Sequence, residues 1–133
     1  MRKRTTVQRR ILVVDDEALV CEAMALMLAF DGHQVQTASN GVEALNCLAK
    51  SPFDLVITDY AMPEMRGDEL AKQVALLYPR IPVVMITAHA EVLAANNVPL
   101  PGVSLVLSKP FMLDTLRNAI EQVCPAPATP SQG

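Results

Sequence analysis

From residue 10 onward, short runs of Val, Ile and Leu alternate with longer stretches whose apolar residues recur at helical spacing. That alternation is the pattern of repeated βαβ units closing on a parallel sheet. Residues 11–14 (ILVV) read as a first strand, continuously apolar as expected where helices cover both faces of a sheet. Asp15, Asp16 and Glu17 supply an acidic first turn to a helix over 18–30, with Leu19, Ala23, Leu26 and Phe30 on its spacing and Gly32 ending it.

Residues 35–38 predict a short second strand, and Asn40 with Glu43 three residues on predicts a cap for a helix facing inward through Val42, Leu45, Leu48 and Ala49. Ser51-Pro52 stops that helix. A third strand over 53–58 ends at Asp59, a helix carries Leu70, Val74 and Leu77 on one face, and Tyr78-Pro79 closes it. A fourth strand spans 81–87, followed by a short helix near 91–96 and a loop holding Pro99, Pro101 and Gly102. A fifth strand covers 103–107. Ser108-Lys109-Pro110 turns the chain into a last helix with Leu113, Leu116, Ile120 and Val123 inward. The expected fold is α/β: a flavodoxin-like, doubly wound sheet of five parallel strands in the order 2-1-3-4-5, sandwiched between helices.

A chain of 133 residues holds one such domain, and a core of this size needs neither disulfides nor structural metal. The expected boundaries are a basic flexible leader over 1–9, the domain over 10–124 and a Pro-rich flexible tail over 125–133. Cys21, Cys47 and Cys124 are odd in number and widely spaced, which fits a reducing compartment. No apolar run is long enough to span a bilayer or serve as a signal peptide, so a cytoplasmic location is expected. The net charge of -3 conceals an asymmetry: five of the eleven basic residues precede residue 11, and the remainder of the chain carries -8. An acidic body argues against direct nucleic-acid or membrane-surface binding.

Ligand sites in doubly wound sheets lie beyond the carboxyl ends of the strands. Here strand one ends in Asp15-Asp16, strand three in Asp59 and strand four in Thr87, with Lys109 just past strand five. Three converging carboxylates repel one another unless a cation holds them ionised. An all-oxygen donor set with few carboxylates suits Mg2+, leaving Lys109 and Thr87 to meet phosphoryl oxygens. Each signal alone has an ordinary explanation, as a favourable first turn, a cap or a turn residue. Their joint occurrence in this order is what carries the reading.

The run of residues 11–17 (ILVVDDE), Asp59 ahead of Met62-Pro63, Thr87-Ala88 and Lys109-Pro110-Phe111 together resemble a response-regulator receiver domain of two-component signalling, over roughly residues 10–124. The resemblance implies Asp59 as phosphoacceptor, Asp16 as a direct Mg2+ ligand, Asp15 acting largely through metal-bound water, and the Ala61 carbonyl completing the protein ligands. It implies Thr87 and the Ala88 backbone N–H on phosphoryl oxygens, and Lys109 pairing first with Asp59 and then with the phosphoryl group. The implied donor is a histidine kinase or histidine phosphotransfer protein, and the chain is a switch that assists its own phosphorylation and dephosphorylation rather than an enzyme. With no effector domain in view, output is expected through protein partners, from a stand-alone receiver or the receiver of a hybrid kinase.

Some positions depart from the family pattern. Val106 stands where many receivers have an aromatic whose rotamer reports the phosphorylated state, so a readout through the loop near residues 96–103 is expected instead. Ala61 and His89 occupy positions that tune acyl-phosphate lifetime in the family. The first helix carries only Glu22 as a charge between Ala18 and Phe30, which places Cys21, Met24, Met27 or Leu28 on an apolar outward face suited to a partner. Three other functions compete with this one. A Mg2+-dependent phosphatase of the haloacid-dehalogenase type needs an acid where Ala61 stands, an FMN-binding module needs a phosphate loop that the acidic pair replaces, and an interaction module would act without phosphorylation.

Overall fold

The computed structural model describes residues 7–124. Ten elements alternate without exception: β1 (Arg10–Val14), α1 (Ala18–Phe30), β2 (Gln34–Ala38), α2 (Gly41–Lys50), β3 (Leu55–Asp59), α3 (Gly67–Leu77), β4 (Val83–Thr87), α4 (Ala90–Ala95), β5 (Leu105–Ser108) and α5 (Leu113–Val123). All strand pairs are parallel and the sheet order is β2-β1-β3-β4-β5, as the sequence pattern predicts. Strands three to five begin two residues later than expected, and β5 extends to Ser108. Residues 1–6 and 125–133, most of the expected leader and all of the tail, lie outside the described residues. Arg9, expected in the leader, is tied to the body: its backbone N–H donates to His33 Nδ1 at 3.0 Å and its guanidinium to the Cys124 carbonyl.

Alternate residues of each strand point to opposite faces of the sheet, so two cores form. Ile11, Val13, Leu55, Ile57, Val84 and Ile86 pack on one side against α1 and α5. Leu12, Val14, Val56 and Val83 pack on the other against α2 and α3. This double burial is why β1, β3 and β4 read as nearly continuous apolar runs, whereas the edge strand β2 (QVQTA) is largely polar and exposed. The central strands β3 and β4 have no exposed residue.

Local signals set several boundaries. The Asn40 side chain accepts the Glu43 N–H at 2.8 Å while Glu43 accepts the Ser39 N–H, a reciprocal cap at the start of α2. Gly32, with φ +92°, follows α1 in the left-handed conformation that ends helices. Asp15 and Asp16 precede α1 and leave its first turn without acidic residues.

The orientation of α1 is the reverse of the sequence expectation. Cys21, Met24 and Leu28 face the sheet, with Met24 only 2% exposed, and Met27 is half-buried. Leu19, Ala23, Leu26 and Phe30 form the outward face, Phe30 being 77% exposed. A helix apolar on all sides carries no amphipathic signal from which to read its rotation. Its phase shows only in the tertiary packing, where Cys21, Met24 and Leu28 join the core with Ile11 and Val13 and the Cys21 thiol donates to the Asp15 carbonyl at 3.3 Å. Burying Met24 and Leu28 contributes about 1.5–3 kcal/mol each. Smaller corrections of the same kind apply elsewhere: Val42 and Ala49 on α2 and Leu77 on α3 are exposed, and Gly41 and Ala44 take the inward positions on α2.

Candidate functional site

The sheet register brings the expected residues to one edge. Val14 lies level with Ala38 and Thr58, Asp59 with Ile86, and Thr87 with Ser108, so the carboxyl ends of β1, β3, β4 and β5 are adjacent. Asp15 and Asp16 follow β1, Asp59 closes β3, Thr87 closes β4 and Lys109 follows β5. Carboxylate oxygens of Asp15, Asp16 and Asp59 lie within 4.8 Å of one another. Asp15 and Asp59 are buried, while Asp16 is exposed at the mouth.

Lys109 reaches into this cluster, its Nζ 3.1 Å from Asp59 Oδ1 and 3.5 Å from Asp15 Oδ2. The Lys109 N–H donates to the Thr87 carbonyl at 2.9 Å, which fixes the start of the loop after β5, and the Lys109–Pro110 peptide bond is cis. The other Asp15 oxygen accepts the Glu17 N–H at 2.9 Å, so this carboxylate is oriented before any ligand arrives. Thr87 Oγ1 accepts the His89 N–H at 3.0 Å, leaving its own proton free to donate. Ala61, Ala88 and His89 are exposed around the rim.

Burial and the neighbouring Asp15 charge raise the Asp59 carboxyl above its ordinary value, against the downward pull of the Lys109 ammonium. Burial alone would lower Lys109, but its bond to Asp59 and the charges of Asp15 and Asp59 outweigh that and raise it. The site therefore holds a fixed ammonium among carboxylates that one monovalent charge does not neutralise. Such a donor set, all oxygen and without His or Cys, fits a hard divalent cation.

Residues 11–121 match the response regulator receiver domain family. The chain belongs to this family. It is 36% identical over 115 residues to the response regulator receiver protein CpdR of Brucella abortus, covering 86% of this chain and 96% of that protein. It is 36% identical to the transcriptional regulatory protein GlrR of Escherichia coli and 38% identical to the sensor histidine kinase RcsC of Salmonella typhimurium. Those matches cover 90% and 83% of this chain, but only 27% and 12% of the larger proteins. Among solved structures, chemotaxis response regulator CheY4 of Vibrio cholerae superposes with a TM-score of 0.80 at 31% identity, covering 88% of this chain and 99% of that one. Response regulator TrrA of Thermotoga maritima, crystallised in complex with Mg2+-BeF, gives 0.78 at 30% identity over 86% of this chain and 98% of its own.

Receiver domains are phosphoacceptor switches of two-component systems, and the acidic cluster here fits Mg2+ and an aspartyl phosphate. Among the described residues no helix is long and apolar enough to cross a membrane. Three parts of the receiver's site have no counterpart in the strand-end reading: the Glu17 N–H on Asp15, the Thr58 hydroxyl donating to the Asp59 carbonyl at 3.0 Å, and the approach of Gly67 to the same carbonyl. A glycine opening a helix just after the loop from Asp59 was the available signal for the last. Backbone approaches of the other two kinds leave no mark in residue spacing.

Proposed function

We propose that this receiver takes a phosphoryl group from a phosphohistidine donor onto Asp59, using the residues around it in the following roles. An oxygen of Asp59 attacks phosphorus as the bond to the imidazole nitrogen breaks, and that nitrogen keeps the bonding electron pair. The observation that carries the assignment is the 3.1 Å pair between Lys109 and the buried Asp59, which opposes protonation of the acceptor and sets a cation beside its carboxylate. Asp16, Asp15, Asp59 and the Ala61 carbonyl would hold Mg2+, which when bound offsets the charge that builds as two anions meet.

The Thr87 hydroxyl and Ala88 N–H are placed to donate to phosphoryl oxygens, and Lys109 moves from the carboxylate to the transferred group. Release follows when water attacks the acyl phosphate. Ala61 leaves that approach open, and it supplies no acid two residues after Asp59 of the kind a haloacid-dehalogenase-type phosphatase needs. His89, exposed beside Thr87, is a position that sets the lifetime by orienting that water. We assign this unit to residues 10–124, and the free state of Cys21, Cys47 and Cys124 supports a cytoplasmic location.

The donor, a histidine kinase or histidine phosphotransfer protein, docks against α1. An open groove of about 550 Å³ is lined by Lys109, Pro110 and Phe111 and by Leu19, Ala23 and Met27, with almost wholly buried Met24 among its lining residues. Outward Leu26 and Phe30 extend it into an apolar stripe with the spacing of a helix–helix seam. The partner face therefore consists of Leu19, Ala23, Leu26 and Phe30 with half-buried Met27, and not of Cys21, Met24 and Leu28.

Intact mass after incubation with acetyl phosphate tests the central claim. A single phosphoryl adduct is expected in the wild type with Mg2+, absent after chelation and absent in Asp59→Asn. An adduct retained in Asp59→Asn overturns the assignment.

A further inference from the structure

The geometry points to Gly67 as a positioning residue for Asp59: its missing side chain is the space into which the acceptor's own peptide fits. The inference rests on Asp59 being the phosphoacceptor. A Cβ on Gly67 would stand 3.0 Å from the Asp59 carbonyl carbon and 3.0 Å from Tyr60 Cα, and would collide outright with the Asp59 carbonyl oxygen. These neighbours are all backbone, so no side-chain rotation relieves the clash. Either α3 or the end of β3 has to move.

Three bonds show that the contact is a built clamp. Gly67 N–H donates to the Tyr60 carbonyl at 2.9 Å, closing the loop that contains Ala61. Tyr60 N–H donates to the Ile86 carbonyl at 3.0 Å, fastening the Asp59–Tyr60 peptide to β4. The buried Thr58 hydroxyl donates to the Asp59 carbonyl at 3.0 Å from the other side. The acceptor's main chain is thus held between β4, Thr58 and the first residue of α3. Its carboxylate projects from that fixed point toward Lys109, Asp15 and Asp16.

Gly67 has no positive φ, so alanine is allowed there by backbone conformation and favoured by helix propensity. Any loss in Gly67→Ala therefore comes from the collision. A displacement of a few tenths of an ångström to 1 Å at Asp59 misaligns in-line attack, and such misplacement costs rate steeply. Two other glycines separate positioning from packing. At Gly41 the two nearest atoms met by a new Cβ are Sδ and Cγ of Met65, which a rotation of that side chain can move aside. At Gly102, φ is +88° and a Cβ would press on the Ala71 carbonyl, so Gly102→Ala strains the fold away from the strand-end site.

The experiment follows adduct formation on the full chain by intact mass over a range of acetyl phosphate concentrations with saturating Mg2+, below the melting midpoint of every variant. Gly67→Ala is expected to lower the maximal rate about tenfold or more while the half-saturating acetyl phosphate concentration stays within about twofold of wild type. Gly102→Ala should lose melting temperature yet keep the wild-type rate, and Gly41→Ala should keep both. Thr58→Val, which retains shape and removes the hydroxyl from the same carbonyl, should slow uptake in the same direction and carries the test if Gly67→Ala does not fold. A wild-type maximal rate in Gly67→Ala, or in Thr58→Val where it stands in, overturns the inference. So does a rate loss in Gly102→Ala equal to that in Gly67→Ala. Absence of an adduct in the wild type itself overturns the phosphoacceptor reading beneath it.

Discussion

Lys109 lies 3.1 Å from Asp59 and binds it in preference to Asp15, whose nearer oxygen is 3.5 Å away. The ammonium is therefore shared between the proposed acceptor and a proposed metal ligand from a different strand. Removing it exposes two buried carboxylates to each other as well as depriving the transferred group of its cation. Lys109→Met is expected to slow acetyl phosphate-driven adduct formation on the order of a hundredfold, the usual loss for a charge-stabilising group. Uptake within about threefold of wild type would remove Lys109 from the transfer step.

Clustered carboxylates make the fold a reporter of cation binding. A ligand present at one hundred times its Kd stabilises the native state by about 2.7 kcal/mol, provided that it ignores the unfolded chain. Titrating Mg2+ into the wild type should therefore raise its melting temperature in a saturable way. Asp16→Asn, altered at the exposed mouth with little change in packing, should abolish most of that rise. An equal rise in the variant would place the cation elsewhere.

The two faces of α1 make opposite predictions. Leu26→Asp and Phe30→Asp alter exposed residues and should leave stability and acetyl phosphate uptake near wild type, while lowering transfer from a phosphohistidine protein about tenfold or more. Met24→Ala, buried against the sheet, should cost about 2–5 kcal/mol in urea unfolding. The reverse pattern would show that the partner contacts another surface.

This helix also marks the boundary of what residue patterns reveal. The strands were legible because double burial forces uninterrupted apolar runs such as Ile11 to Val14, and the site was legible because a parallel sheet displays one set of strand ends. Asn40 with Glu43 was readable as a cap because both partners lie within one turn. The rotation of α1 was not, since it shows in how Cys21, Met24 and Leu28 pack on the sheet rather than in any contrast among the helix's own residues. Val42 and Leu77 misled for a related reason: an apolar side chain at helical spacing need not face the core. Gly67 against the Asp59 carbonyl is a tertiary approach between two backbones, and only the folded arrangement displays it.

His33 offers a pH-dependent test of how β1 is anchored. It is buried beneath Arg9, whose N–H it accepts through Nδ1 at 3.0 Å, so the folded state requires an unprotonated nitrogen there. Burial lowers its pKa from the ordinary 6.5, with Asp31 opposing and Arg9 reinforcing that shift. Between the folded and unfolded values the unfolded chain binds the extra proton, so stability rises with pH across that window. The contribution is fully present above the unfolded value and is lost as pH falls from there toward the folded one. Urea unfolding of the wild type should therefore lose stability as the pH falls through this window. Subtracting the profile of His33→Gln isolates the histidine from the other titrating groups. That variant should lose some stability at neutral pH and show a flatter profile below the ordinary histidine value of 6.5. Parallel profiles for the two proteins would mean that protonating His33 leaves the Arg9 anchor intact.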